Sequence, residues 1–497
     1  MPLMTTSVAD RPAPPPFAAR PVLAVAAVLA VVLTALSGRY GFHRDELYFL
    51  AAGKHPAWGY VDQPPLTPML ARASTWIFGE TPQGLRVTAT LACALMVVLT
   101  ALLAREFGGD RPQQTFAAVA AAVSGFVIAV GHMVSTSTFD LLLWLVLIWI
   151  AVRLLRGGDG RWWLAAGAVA GIGVLNKYLI ALLVLALLAG ILVTGPRRVL
   201  RGPWIVAGVA VAALIAAPNL WWQAAHDWPQ LTVASGIGSD DGAENRIMFV
   251  PLQFLYLSPL LVPVWIAGLV RLWRAPTLRW ARPVAVAYPV MFALTLAGGG
   301  KGYYVLPILL ALTAAGAAPA LAWVKNTGRR ASLTAAVVVA GASSAVVSLP
   351  VLPPAALGAV NGINAEQGEQ VGWRELAEAT AEVWSRSKPP VVFTQNYGQA
   401  GAIARYGPEL GLPEPYSGHM SFYDWGPPPD AAGGVVILRQ KGGDTAAFAP
   451  FFTGCVLAAT FDNGFGVDNE EQGAELWTCT GTTRPWSVIW PELRRYY

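Results

Sequence analysis

Few residues in this chain can move a proton or hold an anion, and most of them stand beside long apolar runs. Residues 43–49 read His-Arg-Asp-Glu-Leu-Tyr-Phe and residues 59–66 read Gly-Tyr-Val-Asp-Gln-Pro-Pro-Leu. The adjacent carboxylates Asp45 and Glu46 lie just past an apolar run, a costly place for charge unless it is hydrated or paired. One of them, facing a hydroxyl, can act as a general base. A solvated loop in which Asp45 caps the next helix explains the same pattern. Tyr60, Asp62 and Gln63 follow within the same stretch. Asp140 opens a later apolar run, where a helix N-terminus favours an acid whether or not it also binds a ligand. Lys177, between two apolar runs, is either a snorkelling anchor or a phosphate partner. Lys301 precedes Tyr303 and Tyr304 in a run of glycines that lets a ligand approach the backbone; an interface anchor is the alternative. His226, next to Asp227, suits a ligand or proton relay, or an ordinary surface position. His43, His55 and His132 have no zinc-site spacing.

These residues need a frame, and the composition says what kind. The chain has 497 residues, 55% hydrophobic and 13% charged, against about 25% charged in soluble domains. A net charge of +5 reads here as a topology signal, since no nucleic-acid-binding signature accompanies it. Residues 1–20 lack the features of a cleavable signal and are expected to form a short disordered cytoplasmic tail. About eleven helical spans are expected, at 21–37, 85–104, 115–134, 139–155, 162–175, 178–194, 204–220, 249–270, 284–296, 303–324 and 333–352. The fifth and sixth are short and meet at Asn176-Lys177, either a tight hairpin or one broken span.

Loop charge orients them. With the N-terminus inside, every inner loop is basic, for example Arg153, Arg156 and Arg161, or Arg271, Arg274, Arg279 and Arg282. The outer loops hold most acids: Asp45, Glu46, Asp62 and Glu80 in the first, at 38–84, and Asp227, Asp240, Asp241 and Glu244 in another. The transmembrane part is expected over 21–355 and a small extracytoplasmic α/β domain over 360–497. The latter has short strands near 391–394, 435–438 and 456–461, a helix at 373–385, and no Gly-rich nucleotide-binding loop. Within it, Asn396-Tyr397-Gly398-Gln399 and the aromatic-polar stretch 417–426 suit either sugar contact or ordinary turns. Cys455 and Cys479 are open between a disulfide and two free thiols; Cys93 reads as a small core residue.

An Asp-Glu followed by aromatics and then Gly-Tyr-x-Asp-x-Pro-Pro-Leu, all in the first outer loop, resembles the GT-C membrane glycosyltransferases. The nearest group is the protein O-mannosyltransferase and aminoarabinose transferase (glycosyltransferase 39/83-like) superfamily, and the likeness covers about residues 20 to 350. It implies a GT-C-like polytopic fold in the plasma membrane. It also implies transfer of a sugar from a polyprenyl-phosphate carrier to a lipid, glycan or protein acceptor outside the membrane. Asp45 matches the acid that activates the acceptor, with Glu46 beside it, and Asp140 matches a second acidic position. Lys177 resembles a Thr-Lys-Gly-like motif, and Lys301 with Tyr303 and Tyr304 a basic-Tyr-Tyr-Leu-Pro segment. Either lysine would stabilise the departing phosphate of an inverting transfer. The family often has His where this chain has Gln63, so a metal or proton-relay role is not carried over there. A divalent cation stays open as a cofactor without an evident ligand set. The rival readings are a secondary transporter, which would place charge and broken helices at mid-membrane, and a non-catalytic scaffold.

Overall fold

The computed structural model describes residues 13–442 and 449–496; most of the expected N-terminal tail, residues 1–12, lies outside them. The first helix, α1 (Ala19–Leu36), is followed by α2 (Arg44–Lys54), α3 (Leu66–Phe78), α4 (Pro82–Glu106), α5 (Arg111–Ala122), α6 (Gly125–His132), α7 (Thr136–Arg156) and α8 (Trp162–Val174). Then come α9 (Ile180–Thr194), α10 (Pro203–Ala225), α11 (Pro229–Asp240), α12 (Gly242–Leu255), α13 (Val262–Arg274), α14 (Arg282–Ala297), α15 (Leu306–Trp323) and α16 (Thr327–Ser348).

Among the described residues, seven helices are long and apolar enough to cross a membrane: α1, α4, α7, α10, α16, and α14 and α15 with their preceding turns. Two further pairs pass only together, α5 with α6, bent by 59°, and α12 with the segment 259–274, bent by 67°. The apolar helices α8 and α9 are shorter. Each expected span falls on one of these elements, but the third and eighth are sharply broken where the sequence suggested continuous runs. The two breaks satisfy each other. Ser124 Oγ and Phe126 N–H both donate to the Tyr256 carbonyl, at 3.1 and 2.9 Å. Backbone groups freed inside an apolar medium need such partners.

Helix pairs close where side chains are small, as expected where lipid gives no hydrophobic drive for helices to associate. On α13 and α15, a β-carbon on Gly268 would overlap the Leu312 carbonyl, and one on Gly316 the Val264 carbonyl. At the basic end of the bundle, Arg153 and Arg156 converge on the buried Glu106 carboxylate, each at 3.3 Å.

The long connection between α1 and α4, residues 38–81, is itself structured. Helix α2 is buried along Glu46–Gly53. Helix α3 leaves Trp76, Ile77 and Phe78 exposed, which suits a helix lying in the membrane interface.

After α16 the chain forms a small C-terminal sheet domain. Its helices are α17 (Gly358–Asn361), α18 (Trp373–Ser385), α19 (Tyr397–Leu410), α20 (Ser421–Asp424) and α21 (Trp486–Ile489). Its strands are β1 (Val391–Thr394), β2 (Pro415–Ser417), β3 (Val435–Arg439), β4 (Phe452–Thr453), β5 (Val456–Thr460), β6 (Glu475–Cys479) and β7 (Gly481–Thr482). Five strands are ordered β2-β1-β3-β6-β5, with β1 parallel to both neighbours and β6 antiparallel to β3 and β5. β1 and β3 are buried along their whole length, which accounts for their unbroken apolar runs. Cys455 and Cys479 form a disulfide beside β5 and β6. Helix α19 packs onto α2, so the sheet domain sits against the connection between α1 and α4.

Candidate active site

Helix α2 begins with an unusual cap. The His43 imidazole accepts the Asp45 N–H through Nδ1 at 3.1 Å, and Glu46 Oε2 accepts the His43 N–H at 2.9 Å. This is a capping box with an imidazole in the usual hydroxyl's place. It puts the proton of a neutral His43 on Nε2, which lies 2.9 Å from Glu366 Oε2.

Past the cap, the two neighbouring acids have different surroundings. Glu46 is fully buried and pairs with the equally buried Arg86, whose Nε and Nη2 donate to its two oxygens at 2.9 and 2.7 Å. The Val134 N–H adds a third bond at 2.8 Å. Arg86 also donates to the carbonyls of Ser37 and Gly41 and to Gln370 Oε1. Glu46 thus ties α2 to the ends of α1, α4 and α6. Asp45, in contrast, keeps a side chain 34% exposed, and its Oδ1 accepts the Tyr397 hydroxyl at 2.7 Å.

A second acid stands near Asp45. Asp62 Oδ1 accepts the Tyr48 hydroxyl at 2.7 Å. Burial pushes its carboxyl up to about 6 against the pull of that bond, and the charges of Asp45 and Lys177 both reach it. Tyr60 braces the loop, donating to the Ala52 and His55 carbonyls. Gln63 is 3% exposed; its carbonyl accepts the Tyr60 N–H, while its amide has no hydrogen-bond partner among the described residues.

Asp140 and Lys177 are also neighbours, and Lys177 reaches Asp62 as well. Asn176 Nδ2 donates to Asp140 Oδ1 at 2.7 Å, and Thr67 Oγ1 donates to Asn176 Oδ1 at 2.8 Å. Lys177 is an electrostatic neighbour of Asp140, and its Nζ stands over the rings of Tyr304 and Tyr303, 5.2 and 5.9 Å from their centroids. Tyr303 bonds to Ser137 and also feels the charge of Lys301, whose own side chain is exposed. A narrow cavity runs inward from here, lined by Phe126, Ser137, Asp140, Trp144, Tyr303 and Tyr304.

The structure therefore gathers Asp45, Asp62, Asp140, Lys177, Lys301, Tyr303 and Tyr304 at one end of the bundle. Tyr60 and Glu46 sit behind that group as framework. His226 is elsewhere: it is exposed, stacks on Trp222 at 4.0 Å and shares its Nδ1 with the Trp222 carbonyl at 2.8 Å. Among the described residues, no three His, Cys, Asp or Glu side chains converge as a metal-ligand set.

Sequence reasoning passed over Arg86 and Glu366, and it did not connect Tyr397 to Asp45. Arg86 carried a signal, an arginine in the first turn of an apolar helix. Tyr397 carried only the aromatic-polar texture of its turn, and Glu366 carried none.

Residues 62–222 match the dolichyl-phosphate-mannose-protein mannosyltransferase family, a stretch that takes in Asp62, Asp140 and Lys177. The lipid A galacturonosyltransferase RgtD of Rhizobium johnstonii is 27% identical over 379 residues, 71% of this chain and 75% of that protein. The crystal structure of ArnT from Cupriavidus metallidurans bound to undecaprenyl phosphate superposes with a TM-score of 0.61 at 15% identity, over 92% of this chain and 97% of ArnT. Its apo form gives 0.56 at 14% identity over the same shares. The fold is the GT-C fold, and the chain is a multi-pass membrane glycosyltransferase of that type.

Proposed function

We propose that this protein moves a sugar from a polyprenyl-phosphate carrier to a hydroxyl of an extracytoplasmic acceptor, with inversion at the anomeric carbon. The observation that carries the reading is the pairing of a half-exposed acid with a fixed cation across Asp62. Asp45 and Lys177 both act on Asp62, so a substrate spanning them would meet a base at one end and a positive charge at the other. In this reading Asp45 takes the acceptor's proton as its oxygen bonds to the anomeric carbon. The bond to the carrier phosphate breaks, and the departing phosphate is stabilised by Lys177, aided by Lys301. Asp140, steadied by Asn176, orients sugar hydroxyls.

The acidic end is assigned to the outer side, with the N-terminus cytoplasmic. Two features support this: the arginines gathered at the opposite end of the helices, and the Cys455–Cys479 disulfide, which suits an oxidising compartment. A transporter would set its charges near mid-membrane, and here they lie at one end.

The test uses purified protein with labelled galacturonate, aminoarabinose and mannose, each carried on undecaprenyl phosphate, and an envelope lipid and glycan extract as acceptor. Wild-type protein should transfer one of them, and Asp45→Asn should lower that rate at least about a thousandfold while inserting and folding normally. An Asp45→Asn protein with wild-type turnover would remove Asp45 as the base.

A further inference from the structure

The C-terminal domain touches the proposed base directly. Tyr397, the first residue of α19, donates its hydroxyl to Asp45 Oδ1 at 2.7 Å across 352 residues of chain. The turn that presents it is anchored on both sides. Asn396 Oδ1 caps α19 by accepting the Gln399 N–H at 2.8 Å. Asn396 Nδ2 and Gln399 Nε2 then donate to the buried Glu471 carboxylate at 2.8 and 2.6 Å. The Tyr397 N–H itself is held by His419 Nδ1 at 3.2 Å.

The approach of α19 to α2 is equally constrained. A β-carbon on Gly401 would lie 2.9 Å from the Leu47 carbonyl carbon, and one on Gly398 would lie 3.3 Å from Arg44 Cβ. Side chains at either position would lift Tyr397 away from Asp45. The Tyr397 ring also packs on Tyr48, with centroids 5.1 Å apart, and Tyr48 holds Asp62 by the same kind of bond. Two tyrosine–aspartate pairs thus stand side by side, one tyrosine from each part of the molecule.

We propose that Tyr397 is a positioning residue. Its hydroxyl fixes the Asp45 carboxylate through Oδ1 and leaves Oδ2 for the acceptor hydroxyl, so the C-terminal domain completes the catalytic centre. This rests on Asp45 being the base. The acceptor proton goes to Oδ2, while Tyr397 keeps its own proton throughout. Loss of that donor frees the carboxylate to turn, so fewer encounters find Oδ2 facing the acceptor.

The experiment compares Tyr397→Phe and Tyr397→His with wild type as full-length protein, on whichever undecaprenyl-phosphate sugar from the panel above is turned over. For Tyr397→Phe the expected result is a fall in kcat of about 10- to 100-fold, with the donor KM within about twofold. The thermal unfolding midpoint should be unchanged. Tyr397→His, which keeps a donor, should recover part of the lost kcat. Wild-type kcat in Tyr397→Phe overturns the proposal. So do equal losses in both variants, since a merely structural role would give that result. Asp45→Asn separates the two readings. If it stays active, the base assignment fails; if it is dead while Tyr397→Phe behaves as wild type, only the role of Tyr397 fails.

Discussion

Asp140 and Asp45 are both acids in the opening turns of helices, yet different parts of the chain hold them. Asp140 is 8% exposed, and its support from Asn176, Thr67 and Lys177 comes from the membrane helices and their short connections. Asp45 is half-exposed, and its one side-chain hydroxyl partner comes from the sheet domain. On the proposed reading, the difference teaches that the carrier side of the site would be set once the helices pack, and the acceptor side would be completed by docking of the C-terminal domain.

The hardest way to break this picture is to remove the frame under both sides. Glu46→Ala would leave Arg86 buried and unpaired, at a cost of about 3–5 kcal/mol; the expected outcome is loss of folded protein, measured as monodisperse yield after membrane extraction. Lys177→Met strikes the carrier side alone. Turnover should fall by about 10²- to 10³-fold, with a wild-type yield of folded, monodisperse protein. Gly401→Val strikes the acceptor side alone. Overpacking against Leu47 typically costs about 1–3 kcal/mol, so transfer should drop about tenfold or more while binding of undecaprenyl phosphate is retained, read by ligand-induced thermal stabilisation.

Asp62 links the sides and gives a pH test. Its carboxyl is raised from 3.8 to about 6 in the fold, burial being the main cause. Below 3.8 it is protonated whether folded or not; above about 6 it is charged in both, and the fold bears the cost of burying that charge. Stability should therefore fall as pH rises from about 4 to 6 and level off above. Asp62→Asn should flatten that part of the thermal midpoint against pH. The smallest effect is expected at His226, which joins neither side: His226→Ala should leave turnover within about twofold.

The helices were legible because apolar length and loop charge are signals read along the chain without reference to anything distant. The breaks at Ser124 and Tyr256 were not, because each is stabilised by the other. Residue type, position and family resemblance brought Asp45, Asp62, Asp140 and Lys177 to attention. Residue type and spacing alone did not separate Asp45 from Glu46; only the resemblance favoured Asp45. Neighbours on a helix point about 100° apart, and only the location of Arg86 decides which of them is buried. Tyr397 is the extreme case, since its role depends on a contact that closes 352 residues of chain. The sheet domain's existence was readable from its change of texture, but the face it turns to α2 was not.

The long reach from Asp45 to Tyr397 has a consequence for biogenesis. Synthesis delivers Asp45 to the outer surface early and the residues that steady it last. On the proposed orientation the enzyme stays silent through most of its insertion. On the same proposal it gains full activity only once the C-terminal domain has been exported and α19 has docked on α2. A truncated or stalled chain would present the carrier side without the acceptor side, and so would not spend activated sugar on the wrong hydroxyl.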